Sequence, residues 1–352
     1  MRVAIPLLTL VPGISGGSET YARNLTRSLA RVGVNEYEAV VSTLAPESSG
    51  GLPTVVARGY RASTGTAGRL WAMGSAALNP GALGRHLSRF DAVHYPLTVP
   101  VPRTSRPTVL TLLDVQHLDL PELFSRGERA FRRVAYDSAA RRAERVIVIS
   151  QWVRRRVIER LGLAPDQVHA IHLGVDLERF RPDASIAREP FLLYPARPWP
   201  HKNHARLFEA FDVLRARQPE LRLVLTGTGH DAASLPPGVE ARGDVPLDGR
   251  IDLYRRAALV VFPSLYEGFG LPPIEAMACG CPVAASNAGS LPEVCGDAAR
   301  LFDPRSVDDL IGAVEEVIAA PDDWGARGPS RAAAFTWDAT ARAHDAVYAE
   351  LS

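Results

Sequence analysis

Two kinds of hydrophobic pattern alternate along the chain from end to end. Short apolar runs rich in β-branched residues are typical of buried strands. They are separated by segments whose apolar residues recur every three or four positions, which is typical of helices packed on a sheet. Tyr21, Leu25 and Leu29, for example, share one face of a first helix expected from Ser18 to Arg31. This alternation predicts an α/β fold with parallel sheets and crossover helices.

The expected strands form two series. The first lies near 2–9, 38–43, 53–57, 91–95, 107–112, 145–149 and 168–172, and the second lies near 191–196, 221–226, 259–263, 282–285 and 299–302. Polar residues and prolines interrupt the pattern at about 176–190, where we place a linker. The sequence therefore predicts two Rossmann-like, doubly wound parallel-sheet domains, 1–180 and 181–332, that face a cleft, and a closing helix at 333–352.

Length and composition are those of a globular protein with two substantial cores. The chain has 352 residues, 46% of them hydrophobic, and contains no apolar run of 18 residues. It begins directly with strand residues and shows no secretory signal pattern, so we expect a cytoplasmic location. The three cysteines are an odd number without the paired spacing of a zinc site, and we expect them to be buried apolar residues.

The net charge of +1 hides an imbalance between the two halves. The first 180 residues hold 23 basic and 15 acidic side chains, whereas the rest of the chain holds 17 basic and 24 acidic ones. The excess of basic side chains in the first half favours a phosphorylated acceptor or an acidic lipid surface as its partner. The sequence contains no nucleic-acid motif. The segment from Arg126 to Arg145 predicts a basic amphipathic helix, which suits either a solvated face or peripheral contact with an anionic membrane.

The chain contains 39 arginines and a single lysine, Lys202. Lys202 lies between an expected strand and an expected helix, and a cation near a helix N-terminus is unfavourable unless an anion binds beside it. Arg197 adds a second positive charge nearby. A lysine ammonium is compact and fits a narrow pocket over one phosphate, whereas a guanidinium is flat and forked. We therefore expect a phosphate to bind here; a solvated surface lysine is the alternative.

The most specific motif runs from Glu267 to Glu275, with the sequence Glu-Gly-Phe-Gly-Leu-Pro-Pro-Ile-Glu. It follows an apolar strand and enters a helix through two prolines, which suit a first helical turn. Gly268 and Gly270 leave backbone N–H groups accessible to a ligand. We expect Glu267 on the loop and Glu275 in the first helical turn to accept hydrogen bonds from vicinal hydroxyls. A dipole-stabilising acid is the alternative for Glu275.

With this motif the sequence resembles the family 4 retaining glycosyltransferases, which have the two-domain GT-B fold. The resemblance spans nearly the whole chain. Its other matches are Gly16-Gly17-Ser18-Glu19-Thr20-Tyr21, Asp114-Val115-Gln116-His117, Pro121-Glu122-Leu123-Phe124-Ser125, Val148-Ile149-Ser150, Gly174-Val175-Asp176, Arg197 with Lys202-Asn203, and Phe335-Thr336-Trp337.

The resemblance implies a role for each matched residue. Arg197 and Lys202 would hold the diphosphate of a nucleotide sugar, Glu267 would face the donor sugar, and Glu275 would accept hydrogen bonds from the ribose hydroxyls. Asp114 completes the expected catalytic set. The other donor-binding residues would be Gly16, Gly17, Gly227, Gly268, Phe269, Gly270 and Leu271, and the acceptor side would hold Tyr21, His94 and His117.

One residue departs from the family pattern. Leu113 stands where members commonly carry a histidine that touches the donor sugar, so either Asp114 and His117 cover that contact or the sugar geometry differs. The chain also has no Asp-x-Asp triplet. We therefore expect neither a metal nor another cofactor, and the leaving group would be neutralised by Arg197, Lys202 and a helix N-terminus.

The implied activity is transfer of a hexosyl group from a nucleoside-diphosphate sugar, GDP-mannose-like or a UDP-hexose, to an acceptor hydroxyl with retention. Domain 1–180 would bind a carbohydrate, lipid-linked or natural-product acceptor, domain 181–332 would bind the donor, and the closing helix would pack back on the first domain. The alternatives are a nucleotide-sugar epimerase, a sugar phosphorylase and a non-catalytic sugar-nucleotide-binding subunit. An NAD-dependent oxidoreductase is disfavoured because the first loop lacks the Gly-x-Gly-x-x-Gly fingerprint.

Overall fold

The computed structural model describes residues 1–13 and 16–351, and the chain divides into two compact units. The first unit comprises Met1–Gly174 and Trp337–Ser352, and the second comprises Val175–Thr336. Ser352, the last residue of the expected closing helix, lies outside the described residues.

The units divide a few residues away from the boundaries expected at 180 and 332. Val175 donates its backbone N–H to the carbonyl of Phe335 at 3.0 Å, and the Phe180 ring packs against Tyr254 with centroids 6.2 Å apart. These contacts hold Val175 and Phe180, the two ends of the segment 175–180, in the second unit.

The described residues of the first unit form a seven-stranded parallel sheet with helices. Its strands are β1 (Arg2–Leu7), β2 (Glu36–Val41), β3 (Thr54–Val56), β4 (Ala92–Tyr95), β5 (Thr108–Thr111), β6 (Arg145–Val148) and β7 (Val168–Ala170), in the order β3-β2-β1-β4-β5-β6-β7. Its helices are α1 (Gly17–Val32), α2 (Thr66–Leu78), α3 (Gly81–Leu87), α4 (Gln116–Asp119), α5 (Arg126–Arg132), α6 (Ser138–Ala140), α7 (Gln151–Leu161) and, at the end of the chain, α14 (Trp337–Ala349). Apolar runs become central strands here because helices cover both faces of a parallel sheet.

The second unit contains a six-stranded parallel sheet. Its strands are β8 (Glu189–Pro195), β9 (Arg222–Thr226), β10 (Val239–Ala241), β11 (Ala257–Phe262), β12 (Val283–Ser286) and β13 (Arg300–Phe302), in the order β10-β9-β8-β11-β12-β13. Its helices are α8 (His204–Arg217), α9 (Leu247–Arg256), α10 (Leu271–Ala278), α11 (Leu291–Cys295), α12 (Val307–Ala319) and α13 (Pro321–Ala332). The predicted fold class, two Rossmann-like parallel-sheet domains, is confirmed.

Helix α14 belongs to the first unit and packs there through a buried chain of hydrogen bonds. Nδ1 of His344 lies 2.7 Å from the carbonyl oxygen of Thr340, and because a carbonyl only accepts, this nitrogen carries the proton. Burial lowers the pKa of His344 to about 4, so the ring is neutral at pH 7. Its Nε2 therefore accepts the hydroxyl proton of Tyr21 at 2.8 Å.

The remaining protons of this chain follow in order. Since Tyr21 has used its only proton, the Thr111 hydroxyl donates to the Tyr21 oxygen at 2.8 Å. Nε2 of His94 then donates to Thr111 at 2.8 Å. Burial also lowers the pKa of His94 well below its usual value, so its neutral Nδ1 accepts from Tyr348 at 2.7 Å. One directed chain thus links α1, β4, β5 and α14.

The basic segment beginning at Arg126 is not one continuous α-helix, so the prediction for 126–145 is wrong in extent. A capping box between Ser125 and Glu128 starts α5, and a π-helical turn at Arg133–Asp137 separates it from the short α6. None of the helices within residues 1–13 and 16–351 has the combined length and apolarity that a bilayer crossing needs.

Candidate active site

The charged motifs of the second unit meet at the carboxyl ends of the central strands of its sheet. β8 and β11 are central neighbours, and the strand order reverses between them because β9 lies on one side and β12 on the other. Crevices at such a reversal, beyond the carboxyl ends of the strands, are where open α/β sheets bind ligands. The segment with Arg197 and Lys202 follows β8, and the loop with Glu267 follows β11.

Lys202 and Glu267 form the centre of this region. Lys202 Nζ lies 2.6 Å from Oε1 of Glu267, and the two side chains are only 14% and 12% exposed. The ammonium also lies 5.3 Å from the ring centroid of Phe262. A pair confined in this way is electrostatically stronger than an ion pair on the open surface. The structure thus brings together two residues that the sequence places 65 positions apart.

The backbone around Lys202 is fixed from three directions. Tyr194 donates its hydroxyl to the carbonyl of Lys202 at 2.6 Å, and Leu265 donates its N–H to the carbonyl of His201 at 2.8 Å. Asn203, which is left-handed at φ 61°, donates its side-chain amide to the carbonyls of Pro263 and Pro304. The side chain of Asn203 therefore fastens the segment after β8 to the loop after β11, a role that the sequence analysis missed.

A short turn after β12 supports the Glu267 loop from behind. Ser290 donates its backbone N–H and its hydroxyl to the carbonyl of Glu267, each at 3.1 Å, and its hydroxyl also lies 2.8 Å from the carbonyl of Phe269. Gly289 has φ +65°, and a Cβ there would come within 2.6 Å of the Glu267 carbonyl oxygen. The sequence analysis did not identify either residue, although their Ala-Gly-Ser context after a strand is a turn signal.

The glycines of the motif have distinct structural roles. Gly270 caps α10 with φ +102°, and a Cβ there would lie 2.7 Å from Leu291. Phe269 is buried and packs edge-on against Phe335 at 5.6 Å, so its side chain supports the loop from inside. Gly268 and Leu271 lie on either side of this anchored stretch.

Arg197 and Gly227 lie at the ends of the neighbouring strands β8 and β9. Gly227 has φ +106°, and a Cβ there would come within 3.1 Å of the Arg197 backbone nitrogen. Arg197 itself is half-buried, with its guanidinium 6.0 Å from the Trp199 ring centroid. The close approach of the two backbones requires glycine at 227, and its expected place beside the donor stays a prediction.

Glu275 differs from its expected placement in two respects. It lies in the second turn of α10 rather than the first, and it is 5% exposed, with Oε2 accepting from the Tyr254 hydroxyl at 2.9 Å and Oε1 at 3.4 Å from Arg250. Burial raises the pKa of Glu275, and the neighbouring Arg250 and Tyr254 oppose that effect. The carboxylate is thus held by two protein groups.

In the first unit, Asp114 follows β5 and accepts the backbone N–H of Gln116 at 3.0 Å; its Oδ1 lies 3.5 Å from Arg132. His117 is 3% exposed, with Nε2 2.9 Å from Oδ1 of Asp137. His117 is therefore a packed histidine paired with a buried carboxylate, and its expected contact with an acceptor stays a prediction.

Tyr21 and His94 are buried in the core of the first unit. Both side chains are at most 1% exposed, and each uses its polar atoms in the buried chain that holds α14. Their expected place on the acceptor side stays a prediction. Gly16 and Gly17 remain exposed at the start of α1, where Gly16 is the N-cap with φ 52°.

Known families match both halves of the chain. Residues 177–331 match the family described as Glycosyl transferases group 1, and residues 15–179 match Glycosyltransferase Family 4. MMP alpha-(1->4)-mannosyltransferase of Mycolicibacterium hassiacum is 32% identical over 224 residues, covering 59% of this chain and 54% of that protein. O-antigen chain mannosyltransferase B of Escherichia coli is 29% identical, covering 70% and 71%. D-inositol 3-phosphate glycosyltransferase 2 of Catenulispora acidiphila is 33% identical, covering 63% and 59%. The matched region thus spans less than two thirds of the first and third relatives.

Solved structures agree with this assignment at the level of the fold. Sucrose-phosphate synthase from Thermosynechococcus elongatus superposes with a TM-score of 0.79 at 21% identity, covering 100% of this chain and 99% of that one. Anabaena HepE in complex with UDP-glucose gives 0.73 at 20% identity, covering 99% of each chain. The chain belongs to family 4 of the glycosyltransferases and has the GT-B fold.

Proposed function

We propose that this protein transfers a hexosyl group from a nucleoside-diphosphate sugar to an acceptor hydroxyl with retention of the anomeric configuration. The observation that carries the proposal is the Lys202–Glu267 pair, with 2.6 Å between Nζ and Oε1, at the carboxyl ends of the adjacent strands β8 and β11. A confined cation beside a carboxylate suits a ligand that has a phosphate next to a sugar, since phosphate oxygens accept hydrogen bonds and sugar hydroxyls donate them.

The proposed catalysis rests on charge stabilisation of the leaving group. An ammonium has three N–H donors, so Lys202 can keep its bond to Glu267 and still donate to a phosphate oxygen. As the glycosidic bond lengthens, negative charge grows on the diphosphate, and Lys202 and Arg197 stabilise it more in the transition state than in the ground state. Because the sequence has no Asp-x-Asp triplet, we propose that these cations serve in place of a metal ion.

Retention follows if the leaving phosphate takes the acceptor proton on the face that it vacates. In the rival mechanism Glu267 attacks the anomeric carbon and forms a glycosyl ester, as carboxylates do in retaining hydrolases. The two are separated by mass spectrometry of the protein after rapid quenching with donor. A hexosyl adduct on the peptide that contains Glu267 would overturn the proposed mechanism.

For the donor we propose a mannosyl nucleotide, GDP-mannose or a related GDP-sugar. The support is that two relatives are named as mannosyltransferases. A UDP-hexose is the second candidate, because HepE was solved with UDP-glucose. Thermal-shift measurements with UDP, GDP, ADP and dTDP, and with their sugars, distinguish the two candidates. A ligand present at 100 times its Kd stabilises the folded protein by about 2.7 kcal/mol. A shift with a UDP-sugar alone would contradict the GDP assignment.

The acceptor we propose is anionic, either phosphorylated or lipid-linked at a membrane surface. The excess of basic over acidic side chains in the first 180 residues supports this, as does the exposure of Arg126 and Arg133 on and just after α5. Such a protein would work in the cytoplasm, at times on the inner membrane face. Co-sedimentation with vesicles of 30% anionic lipid, against neutral vesicles, tests the membrane contact; equal sedimentation would remove it.

The activity itself is tested with donor and no acceptor. Slow release of free hexose and nucleoside diphosphate supports a transferase, because water replaces the acceptor. Conversion of the donor to its epimer would support a nucleotide-sugar epimerase, and binding without turnover would support a non-catalytic subunit. Either of the last two results would overturn the proposal.

A further inference from the structure

Helices α9 and α10 build a buried polar cluster behind the candidate site. Arg250 and Tyr254 are one turn apart on α9, so their side chains share a face of that helix. Both point to Glu275 on α10, with the Tyr254 hydroxyl 2.9 Å from Oε2 and the Arg250 Nη2 3.4 Å from Oε1. Tyr254 is fully buried, and Glu275 is 5% exposed.

The two carboxylate oxygens of Glu275 have different hydrogen-bond partners. Oε2 is fixed at short range by a neutral hydroxyl inside the protein, whereas Oε1 has only a long contact with a guanidinium. Each ionised carboxylate oxygen accepts about two hydrogen bonds, so Oε1 has the larger remaining capacity to accept.

The charge state of Glu275 decides whether it accepts at all. A protonated carboxyl group carries an O–H donor and loses part of its acceptor capacity, which suits a diol poorly. Burial raises the pKa of Glu275, while Arg250 and then Tyr254 lower it. In return, Glu275 raises the pKa of Arg250, with Asp244 adding to that effect, and burial followed by Glu275 raises that of Tyr254. Cys279, at the end of α10, also faces the cluster, and burial raises the pKa of its thiol to about 12, so it is neutral.

We propose that Arg250 and Tyr254 are positioning residues that keep Glu275 ionised and oriented, so that it accepts hydrogen bonds from the vicinal ribose hydroxyls of the donor nucleotide. Arg250 supplies the charge, and Tyr254 fixes the orientation. The inference rests on the proposed function for the identity of the ligand. It assigns to α9 a part in donor recognition that none of the motifs in the sequence indicates.

The test measures the contribution of the diol directly. The dissociation constants of GDP and of 2′,3′-dideoxy-GDP are determined by calorimetry, or those of UDP and its dideoxy analogue if UDP is the better ligand. In the wild type the dideoxy analogue is expected to bind at least tenfold more weakly at pH 7. In Arg250→Met this ratio is expected to fall towards one at pH 7 and to recover as the pH is raised to 9, because Glu275 then ionises without its partner. Arg250→Lys, which restores a cation, is expected to keep most of the ratio at pH 7.

A second measurement distinguishes loss of the Glu275 charge from unfolding of the variant. Carboxyl 13C shifts of glutamate-labelled protein, with Glu275→Gln for assignment, report whether Glu275 is ionised in folded Arg250→Met. Tyr254→Phe is expected to lower the ratio severalfold even at pH 9, where Glu275 is ionised, since it removes the bond that orients the carboxylate. The proposal is overturned if Glu275 stays ionised in Arg250→Met at pH 7, or if the ratio in that variant does not change with pH.

These outcomes separate the inference from the proposed function. If both nucleotides bind the wild type equally well, Glu275 does not bind the ribose hydroxyls and the inference is overturned. The transferase activity would still be tested separately, by product formation. A large ratio in a protein that turns over no donor would overturn the transferase and leave the positioning role of Arg250 supported.

Discussion

The single lysine has a definite steric setting. Its ammonium is confined between the Glu267 carboxylate and the face of Phe262, and the side chain is 14% exposed. A guanidinium in the same place would be wider and planar, and it would meet the aromatic ring or displace the carboxylate. This geometry gives a physical reason why lysine stands at 202 in a chain that otherwise uses arginine.

Lys202→Ala is expected to lower donor turnover by more than tenfold, the equivalent of about 1.4 kcal/mol of lost transition-state stabilisation. Lys202→Arg is expected to be impaired as well, because the charge is restored in the wrong shape. Both are measured as kcat and kcat/KM with the best donor. Arg217→Ala, which removes an exposed cation from the far end of α8, serves as the control and should keep normal kinetics. Wild-type turnover in Lys202→Ala would refute the phosphate role.

Glu275 shows why some side-chain roles were not predictable from sequence. The spacing of the two acids placed them on a loop and a helix correctly, but the partners of Glu275 are 21 and 25 residues earlier on α9. No local pattern connects those positions. Likewise, the sequence associated Tyr21 and His94 with a ligand, whereas their partner His344 on α14 and the Thr111 that joins them are distant in sequence.

The loops of the candidate site depend on turns that carry no charge. Gly289 packs against the backbone of Glu267, with its hypothetical Cβ 2.6 Å from the carbonyl oxygen and 2.7 Å from the nitrogen. Both are backbone atoms, which cannot move aside as the end of a flexible side chain can. The position of the Glu267 carboxylate is therefore set partly by the turn after β12.

Gly289→Ala is expected to displace the Glu267 loop and reduce kcat by at least tenfold. Its left-handed φ of +65° adds strain for a residue with a Cβ, so stability should fall by roughly 1–3 kcal/mol. Gly312→Ala in α12 is the matched control, because a Cβ there meets nothing within 4 Å and should stabilise the helix by roughly 0.5–1 kcal/mol. Urea unfolding and donor kinetics are measured for both. Unchanged kcat in Gly289→Ala would contradict the support role.

Among the strands of the described residues, the sequence predicted all but β10, including the three-residue strands β3, β7 and β13. The buried run Leu192–Tyr194 within β8 is apolar throughout, as expected for a parallel strand covered on both faces. β10 has only three residues, of which Glu240 is exposed, and its pairing with β9 decides its conformation. Its sequence Val-Glu-Ala contains no apolar run, so the sequence did not show it.

The path of the chain through the two units gives α14 a structural role in the first. After the second unit ends at Thr336, the chain returns to the first unit, where α14 packs beside α1. The directed hydrogen bonds from Tyr348 through His94, Thr111 and Tyr21 to His344 hold it there. Because both histidines in this chain are neutral and buried, the attachment of α14 is sensitive to acid.

The sign of that sensitivity follows from proton binding. Burial lowers the pKa of His344 to about 4, whereas an unfolded histidine titrates near 6.5, so between these values the unfolded state binds more protons. Stability should therefore fall as the pH drops from about 6.5 to 4, with His344 alone contributing up to about 3 kcal/mol. Unfolding free energies from urea titrations at several pH values across this range measure the slope. His344→Gln should flatten it, whereas Tyr348→Phe, which removes a hydrogen bond but no imidazole, should lower stability at neutral pH and keep most of the slope. Identical slopes in wild type and His344→Gln would show that this histidine does not couple protonation to the docking of α14.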